Sequence, residues 1–385
     1  MTLDRAIIAG MGEVAPERRS AADVETLILR AIHAAVADAG LKAADIDAVI
    51  TESTLTPATA ALDRIGVAAG LTGLRRTALS TPVGAGIIAA AGMAADMVMR
   101  GEADAVLTWF ATGWGSASGG PTGYHAKMEA KHLIEDPAGF TGPPLYFAVA
   151  AHRYAHVHGL SSAELEELLY GTVAAARAHG ALHPDAQLRK PLADIDAYRA
   201  SPLIAEPLRM ADCSLLSDGA VALVVTRGDS GVAVRAWDYA VDPITDADFY
   251  TQSPWLPDLP AAGRAGAGAF SKAELGPADM DVLGIYDCFS IAIAMQIEAL
   301  GFCPPGGTLD LIRRGGLRHD GPLPVNPHGG LMSHGYLLGV NHLAEIVTQL
   351  RHAAGARQVA GAARGFVGAG PGRQYTALIL ERIAA

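Results

Sequence analysis

Two phenols and a carboxylate are the residues best suited to chemistry. Tyr286 opens the run Tyr286-Asp287-Cys288-Phe289, and Tyr336 lies in the turn Gly335-Tyr336-Leu337-Leu338-Gly339. A pair of phenols suits proton transfer, one accepting a proton while the other donates a hydrogen bond. An unperturbed tyrosine titrates near ~10, so a base role requires a local field that lowers that value. Peptide dipoles around Gly329, Gly330 and a helix expected to start near residue 336 are the candidate source. His328 and His334 flank the glycine pair and are placed to tune or relay a proton. Each residue also has a structural reading. Tyr336 reads as a buried ring with a satisfied hydroxyl, Tyr286 as the aromatic end of a hydrophobic strand, and the histidines as loop packing. Asp287 reads as a cap for a helix starting at Phe289, and Cys288 as a packed thiol or a replacement nucleophile.

Other patterns carry less. His152, His156 and His158 place imidazoles at i, i+4 on an expected helix, without the Glu or Cys partners of a zinc motif, so no metal is expected. The run Phe366-Val367-Gly368-Ala369-Gly370-Pro371-Gly372 is glycine-rich but lies between two strands. It lacks the helix that a dinucleotide loop requires. Ser80 and Thr81 have no local base motif beside them.

The elements that position these residues read as α/β. The chain has 385 residues, 50% of them hydrophobic and 18% charged, enough for one large or two medium domains with a sizeable core. The net charge of −11 disfavours nucleic acid and anionic membrane as partners. Three cysteines fit a reducing compartment. No leader or spanning segment is evident, so a cytoplasmic protein is expected. Strands are expected at 5–10, 47–52, 76–80 and 105–111. Helices are expected at 21–39, with Ser20 as cap and Gly40 as stop, and at 84–100. This alternation implies a mainly parallel, covered sheet. Residues 113–212 change character: a loop rich in Gly, Thr, Ser and Pro, two helices near 146–158 and 162–179, then an irregular stretch. An insertion of this size often forms the wall of a site.

An internal echo suggests duplication. Leu41, Ala44, Asp45 and Asp47 match Leu275, Ala278, Asp279 and Asp281 at one constant offset. Each set lies between an expected helix and an expected strand. Residues 1–112 and 213–245 are therefore read as one half, 113–212 as an insertion, and 246–385 as the second half. A site would lie where the halves bring their loops together.

The segments ADCSLLSDGAVALVV, YDCFSIAIAMQIEALGFC, VNPHGGLMSHGYLLGVNH and RGFVGAGPGRQY, in this order, resemble the thiolase superfamily. The branch is the sterol-carrier-protein-x-type, or lipid-transfer, one. The resemblance implies a thiolase fold of duplicated α/β/α/β/α layered halves, a homodimer joined through the first-half sheet, and a CoA-thioester substrate. The departures from the family pattern are specific. The family's nucleophilic cysteine falls on Gly84, seventeen residues before the helix-terminal Gly101. The histidine of its GHPxG turn falls on Tyr336, its second cysteine on Phe366, and the Asn or His of its oxyanion motif on Tyr286. A glycine cannot be acylated, so a working thiolase is excluded.

Retro-aldol cleavage needs no acyl-enzyme. A base takes the hydroxyl proton of a 3-hydroxyacyl-CoA, the C2–C3 bond breaks, a ketone or aldehyde leaves, and a thioester enolate requires an oxyanion site and a proton. The resemblance to thiolase-like aldolases of steroid and other branched side chains implies acetyl-CoA or propionyl-CoA as product, and a small OB-fold, zinc-ribbon-type partner. Tyr336 is assigned the base role and Tyr286 the donor role, with Asp287 and His328 beside them. Gly84, Gly329, Gly330, Gly368 and Gly370 are assigned to the substrate and oxyanion loops. CoA enters as the substrate thioester and no separate cofactor is expected. Lys127, Lys131, Arg189 and Lys190 are candidates for the CoA phosphates or solvated surface. A CoA-thioester acyltransferase or decarboxylase, and a non-catalytic thiolase-like subunit, stay as alternatives.

Overall fold

The computed structural model describes residues 5–52, 62–80, 85–117, 133, 135–140, 142–242, 256–370 and 372–384. Thr81, Gly84, Lys127 and Lys131 lie outside the described residues. The strands are β1 (Arg5–Glu17), β2 (Ala48–Glu52), β3 (Arg76–Ser80), β4 (Ala105–Gly113), β5 (Leu203–Ala205), β6 (Leu208–Arg209), β7 (Asp218–Gly228), β8 (Gly231–Val241), β9 (Val282–Ile285), β10 (Arg364–Ala369) and β11 (Gln374–Ile383). The helices are α1 (Val24–Asp38), α2 (Leu62–Ala68), α3 (Gly86–Met99), α4 (Pro143–His158), α5 (Ser162–Leu182), α6 (Ile195–Arg199), α7 (Pro260–Ala273), α8 (Ser290–Ala299), α9 (Thr308–Arg313), α10 (Gly330–Ser333) and α11 (Val340–Leu350).

Helix α1 forms because Leu27, Ile28, Ala31, Ile32, Ala35 and Val36 make one buried stripe. Its N-cap is Asp23, whose carboxylate accepts from Thr26 N at 2.8 Å. Ser20, the expected cap, instead shapes the preceding turn: its hydroxyl accepts from Ala22 N, and its own N–H donates to Asp218. The stripe packs on β1 at glycine positions. A Cβ on Gly10 would stand 2.0 Å from Ala35 O, and one on Gly12 2.2 Å from Ala31 O.

Strands pair in the order β3-β2-β4-β7-β1-β8-β11-β10-β9. The sheet is mixed rather than mainly parallel: β2–β3, β2–β4 and β9–β10 are parallel, and the other pairings are antiparallel. A short return such as the one between β10 and β11 leaves no room for a crossover, so the pair must be antiparallel. The seam between β1 and β8 is a single pairing, Ile7 with Ala233.

From that seam the two sides repeat one order. Outward run β1, β7, β4, β2, β3 on one side and β8, β11, β10, β9 on the other, followed there by a parallel bridge of Val325 to Leu283. The echoed aspartates play matching parts. Asp45 accepts from Lys42 N and Asp279 from Gly276 N, each at 2.8 Å. Asp47 accepts from Asp104 N and Ala105 N where β4 begins, and Asp281 from Ala363 N and Arg364 N where β10 begins. Helices α3 and α11 pack against strands of both sides, while α1 and α7 each cover one side.

Asp47 also pairs with Arg75. Partial burial alone would raise its carboxyl, but the N–H groups of Ala105 and Asp104 and the Arg75 guanidinium outweigh it and hold the carboxyl below its ordinary range. A lowered carboxyl stabilises the fold above its unfolded value and loses that contribution as pH falls through the folded one. Asp47→Ala is expected to cost about 1–3 kcal/mol at neutral pH, read from urea midpoints at constant slope. The difference from wild type should shrink as pH drops below about 4. An equal difference at pH 7 and pH 3 would refute the assignment.

Candidate active site

Residues 211–218 lace the loops of both sides together. The Asp212 carboxylate is buried and accepts from Ser290 Oγ at 2.6 Å, Tyr198 OH at 2.8 Å and Arg209 N at 2.7 Å. Ser214 N donates to Cys288 O and Leu215 N to Leu331 O, both at 3.0 Å. Ser217 Oγ accepts from Tyr336 N at 2.8 Å, and Asp218 accepts from Ser20 N and Ser116 N. One short segment thereby sets Cys288, Leu331 and Tyr336 in register with the N-terminal side.

Asp287 is buried beneath α10. Leu331 N donates to it, 2.9 Å from Oδ1 and 3.1 Å from Oδ2. It caps α10, not the helix after Phe289: the N-cap of α8 is Phe289, without a side-chain bond. Gly330 permits the contact, because its φ is +63° and a Cβ there would lie 2.0 Å from Asp287 Oδ2.

The two phenols meet. Tyr286 OH lies 2.6 Å from Tyr336 OH. Tyr286 is held at both backbone ends, its N–H donating to Gly368 O and its carbonyl accepting from Gln296 Nε2. Trp114 stacks on the Tyr336 ring with centroids 5.1 Å apart. The tyrosines are 7% and 8% exposed, enclosed without being sealed.

The field at Tyr336 runs opposite to the one expected. Burial pushes its phenol well above the ordinary range, and the neighbouring Cys288 and Asp287 push the same way, while the Tyr286 hydroxyl pulls back. The expected dipole is absent from residue 336, because the helical segments span 330–333 and 340–350 and Tyr336 falls between them. The Leu331 N–H of α10 serves Asp287. Cys288 is a packed thiol, pushed well up by burial and then by Asp287, which disfavours a nucleophilic thiolate.

The candidate glycines divide. Gly329, with φ +101°, approaches Gly180 of α5 and seats the glycine pair against the insertion. Gly368 is inside β10, paired with Ile285 and Ala377, and its carbonyl holds Tyr286. Gly370, with φ +107°, brings its loop to Ala85 at the start of α3. Phe366 points into the core against Phe270 and Phe302. Arg189 and Lys190 are exposed, with Arg189 donating to Pro184 O. His152 meets Glu206 O and His158 faces Glu298.

His328 and His334 are buried and joined to residues not singled out from the sequence. His328 Nε2 lies 3.1 Å from His342 Nδ1, and His342 Nε2 lies 3.1 Å from Asp287 Oδ1. Asn341 Nδ2 reaches Gly335 O at 3.0 Å and His334 Nδ1 at 3.3 Å. Burial first, then neighbouring histidines, hold His328 and His334 well below the usual imidazole range, so both are neutral. Trp114, Ser217, Asn341 and His342 carry no local motif. Asn341-His342 reads in sequence as the first turn of a helix.

Gly330→Ala is expected to destabilise by more than the about 1–2 kcal/mol of a left-handed alanine, because the new Cβ also displaces the Asp287 carboxylate. A thermal melt within a degree of wild type would contradict this contact.

The thiolase C-terminal domain-like family matches residues 245–382. A 17-hydroxy-3-oxo-4-pregnene-20-carboxyl-CoA lyase of Mycobacterium tuberculosis is 32% identical over 399 residues, covering 99% of this chain and 100% of the relative. A steroid side-chain-cleaving aldolase of Thermomonospora curvata is 30% identical over 363 residues, 90% of each chain. The solved Ltp2-ChsH2(DUF35) aldolase superposes with a TM-score of 0.90 at 27% identity, over 99% of this chain and 98% of that one. An acetyl-CoA acetyltransferase from Syntrophomonas wolfei shares the fold, with a TM-score of 0.70 at 16% identity. With full-length likeness to lyases and aldolases, and phenols at the thiolase chemical positions, the chain belongs to the thiolase superfamily, in its sterol-carrier-protein-x-type branch of thiolase-like aldolases.

Proposed function

We propose that this protein is a carbon–carbon lyase that cleaves a 3-hydroxyacyl-CoA side chain, of steroid or other branched-lipid type, to a ketone or aldehyde plus acetyl-CoA or propionyl-CoA. The observation that carries this reading is the 2.6 Å contact between Tyr286 OH and Tyr336 OH. In the reaction, Tyr336 oxygen accepts the proton of the substrate's 3-hydroxyl as Tyr336 passes its own proton to Tyr286. The C2–C3 bond breaks, its electron pair forms the thioester enolate, and the C3–O group becomes the carbonyl of the leaving ketone or aldehyde. In the same concerted step Tyr286 gives its own proton to C2 of the developing enolate, so neither phenol carries two protons. Both phenols end as they began, so no standing phenolate is required. A raised Tyr336 favours this relay over a pre-ionised base. CoA enters as part of the substrate and the residues assigned here use no further cofactor.

The assembly proposed is a homodimer with a small OB-fold, zinc-ribbon-type partner, in two-plus-two form. The partner follows from likeness to the Ltp2-ChsH2(DUF35) aldolase. The dimer reading rests on β3, which ends the sheet with Arg76, Thr77 and Leu79 exposed. An exposed edge strand is a ready surface for pairing with a second copy. No helix among the described residues is long and apolar enough to cross a membrane.

Cleavage is tested by co-expression with the partner and assay of CoA products from a panel of 3-hydroxyacyl-CoAs. Tyr286→Phe and Tyr336→Phe should each lower kcat by ~10²-fold or more, with little change in CoA-ester binding. The double variant should fall short of the product of the two, because both act in one proton path. Retention of more than about half the rate by both single variants would move the chemistry elsewhere. Light scattering at micromolar concentration should give a dimer of this chain; a monomer would refute the edge-strand pairing.

A further inference from the structure

The carboxylate beneath the phenol pair is backed by two imidazoles that the proton relay does not use. Asp287, His342 and His328 are 0%, 0% and 1% exposed. A buried carboxylate needs compensation beyond the single N–H of Leu331. The His342 ring supplies it: Nε2 stands 3.1 Å from Asp287 Oδ1, although its N–H is not aimed squarely at that oxygen. Alignment of this kind commonly tightens when a site is occupied.

The proton positions follow by elimination. In the Nε2–H tautomer, with Nε2 turned to Asp287, the His342 ring leaves Nδ1 as an acceptor. Its neighbour at Nδ1 is His328 Nε2 at 3.1 Å, which must then carry the proton. His328 is neutral, so its Nδ1 is an acceptor. Asn341 Nδ2 has two protons and three neighbours, Gly335 O at 3.0 Å, His334 Nδ1 at 3.3 Å and His328 Nε2 at 3.4 Å; the two nearer ones accept them, which leaves His328 Nε2 to donate. Every polar hydrogen in the chain Asp287–His342–His328 therefore has one direction.

We infer that His342 is a positioning residue for the lyase reaction, donating from Nε2 to Asp287 with its tautomer set by His328. Its effect reaches the chemistry by two routes. Asp287 holds Leu331 N, and hence the turn that delivers Tyr336 five residues later. The charge of Asp287 also raises the Tyr336 phenol, so the share of that charge taken up by His342 alters how readily the phenol exchanges a proton. This inference rests on the aldolase reading of the same site.

Two substitutions separate the ring nitrogens. The amide nitrogen of Gln reaches the place of Nε2, and that of Asn the place of Nδ1. With a 3-hydroxyacyl-CoA that the wild-type complex cleaves, His342→Asn should lower kcat by about 10- to 100-fold, the range for outer groups that orient a reacting side chain. KM should stay within about threefold. His342→Gln should keep kcat within about fivefold. Equal activity of the two variants, both high or both low, would overturn the inference. An independent reading needs no substrate. In 15N-histidine spectra of the wild-type protein, His328 and His342 should be neutral Nε2–H tautomers at neutral pH. The Nδ1–H tautomer at His342 would refute the assignment even where cleavage is observed. Absence of cleavage across the substrate panel, with the predicted tautomers present, would count against the aldolase reading alone and sustain the positioning of Asp287.

Discussion

A buried carboxylate organises this site. Asp287 is fully buried, and a buried charge is tolerated only where donors meet it. What meets it comes from across the molecule: Leu331 N donates to it at the start of α10, and His342 Nε2 in the first turn of α11 stands 3.1 Å from Oδ1. Gly330 has to be glycine for the carboxylate to come so close. Asp287 docked there leaves its neighbour Tyr286 and the downstream Tyr336 facing one another, their hydroxyls 2.6 Å apart.

This arrangement explains how a thiolase-type scaffold can work after loss of its thiols. Thiolysis needs a nucleophile to hold the acyl group, whereas a retro-aldol cleavage needs only a proton carried from one substrate atom to another. Two neutral phenols in contact suit that task best in an enclosed pocket, where ionising either is costly. The same burial that disqualifies Tyr336 as a standing base qualifies it as a relay. Cys288 shares the enclosure and is kept as a thiol by it.

The duplicated architecture supplies the stiffness. Asp47 and Asp281 tie the starts of β4 and β10 in the same way on the two sides. The long apolar helices α3 and α11 pack against strands of both sides. Residues 211–218 then cross-link the loops, through Asp212 to Ser290, Ser214 to Cys288 and Ser217 to Tyr336. Loops anchored this heavily keep the phenols within hydrogen-bond reach of each other before any substrate arrives.

The sequence by itself determined the elements and the chemical positions. Hydrophobic spacing marked α1 because burial on one face imposes a period, and the strands at 47–52 and 76–80 were legible as short segments alternating with helices. Matching aspartates disclosed the repeat because each half needs the same cap. Tyr286 and Tyr336 stood out because they fall where thiolases carry other chemistry. Only the tertiary structure decided the mixed direction of the sheet, the true partner of Asp287, the sign of the field at Tyr336 and the presence of His342. These depend on groups distant in the chain: Asp287 to Leu331 spans 44 residues, and the field at a phenol is the sum over everything packed around it. Local pattern encodes which face of an element is buried. It does not encode what that face is buried against, and pKa, tautomer and donor direction are properties of the neighbour.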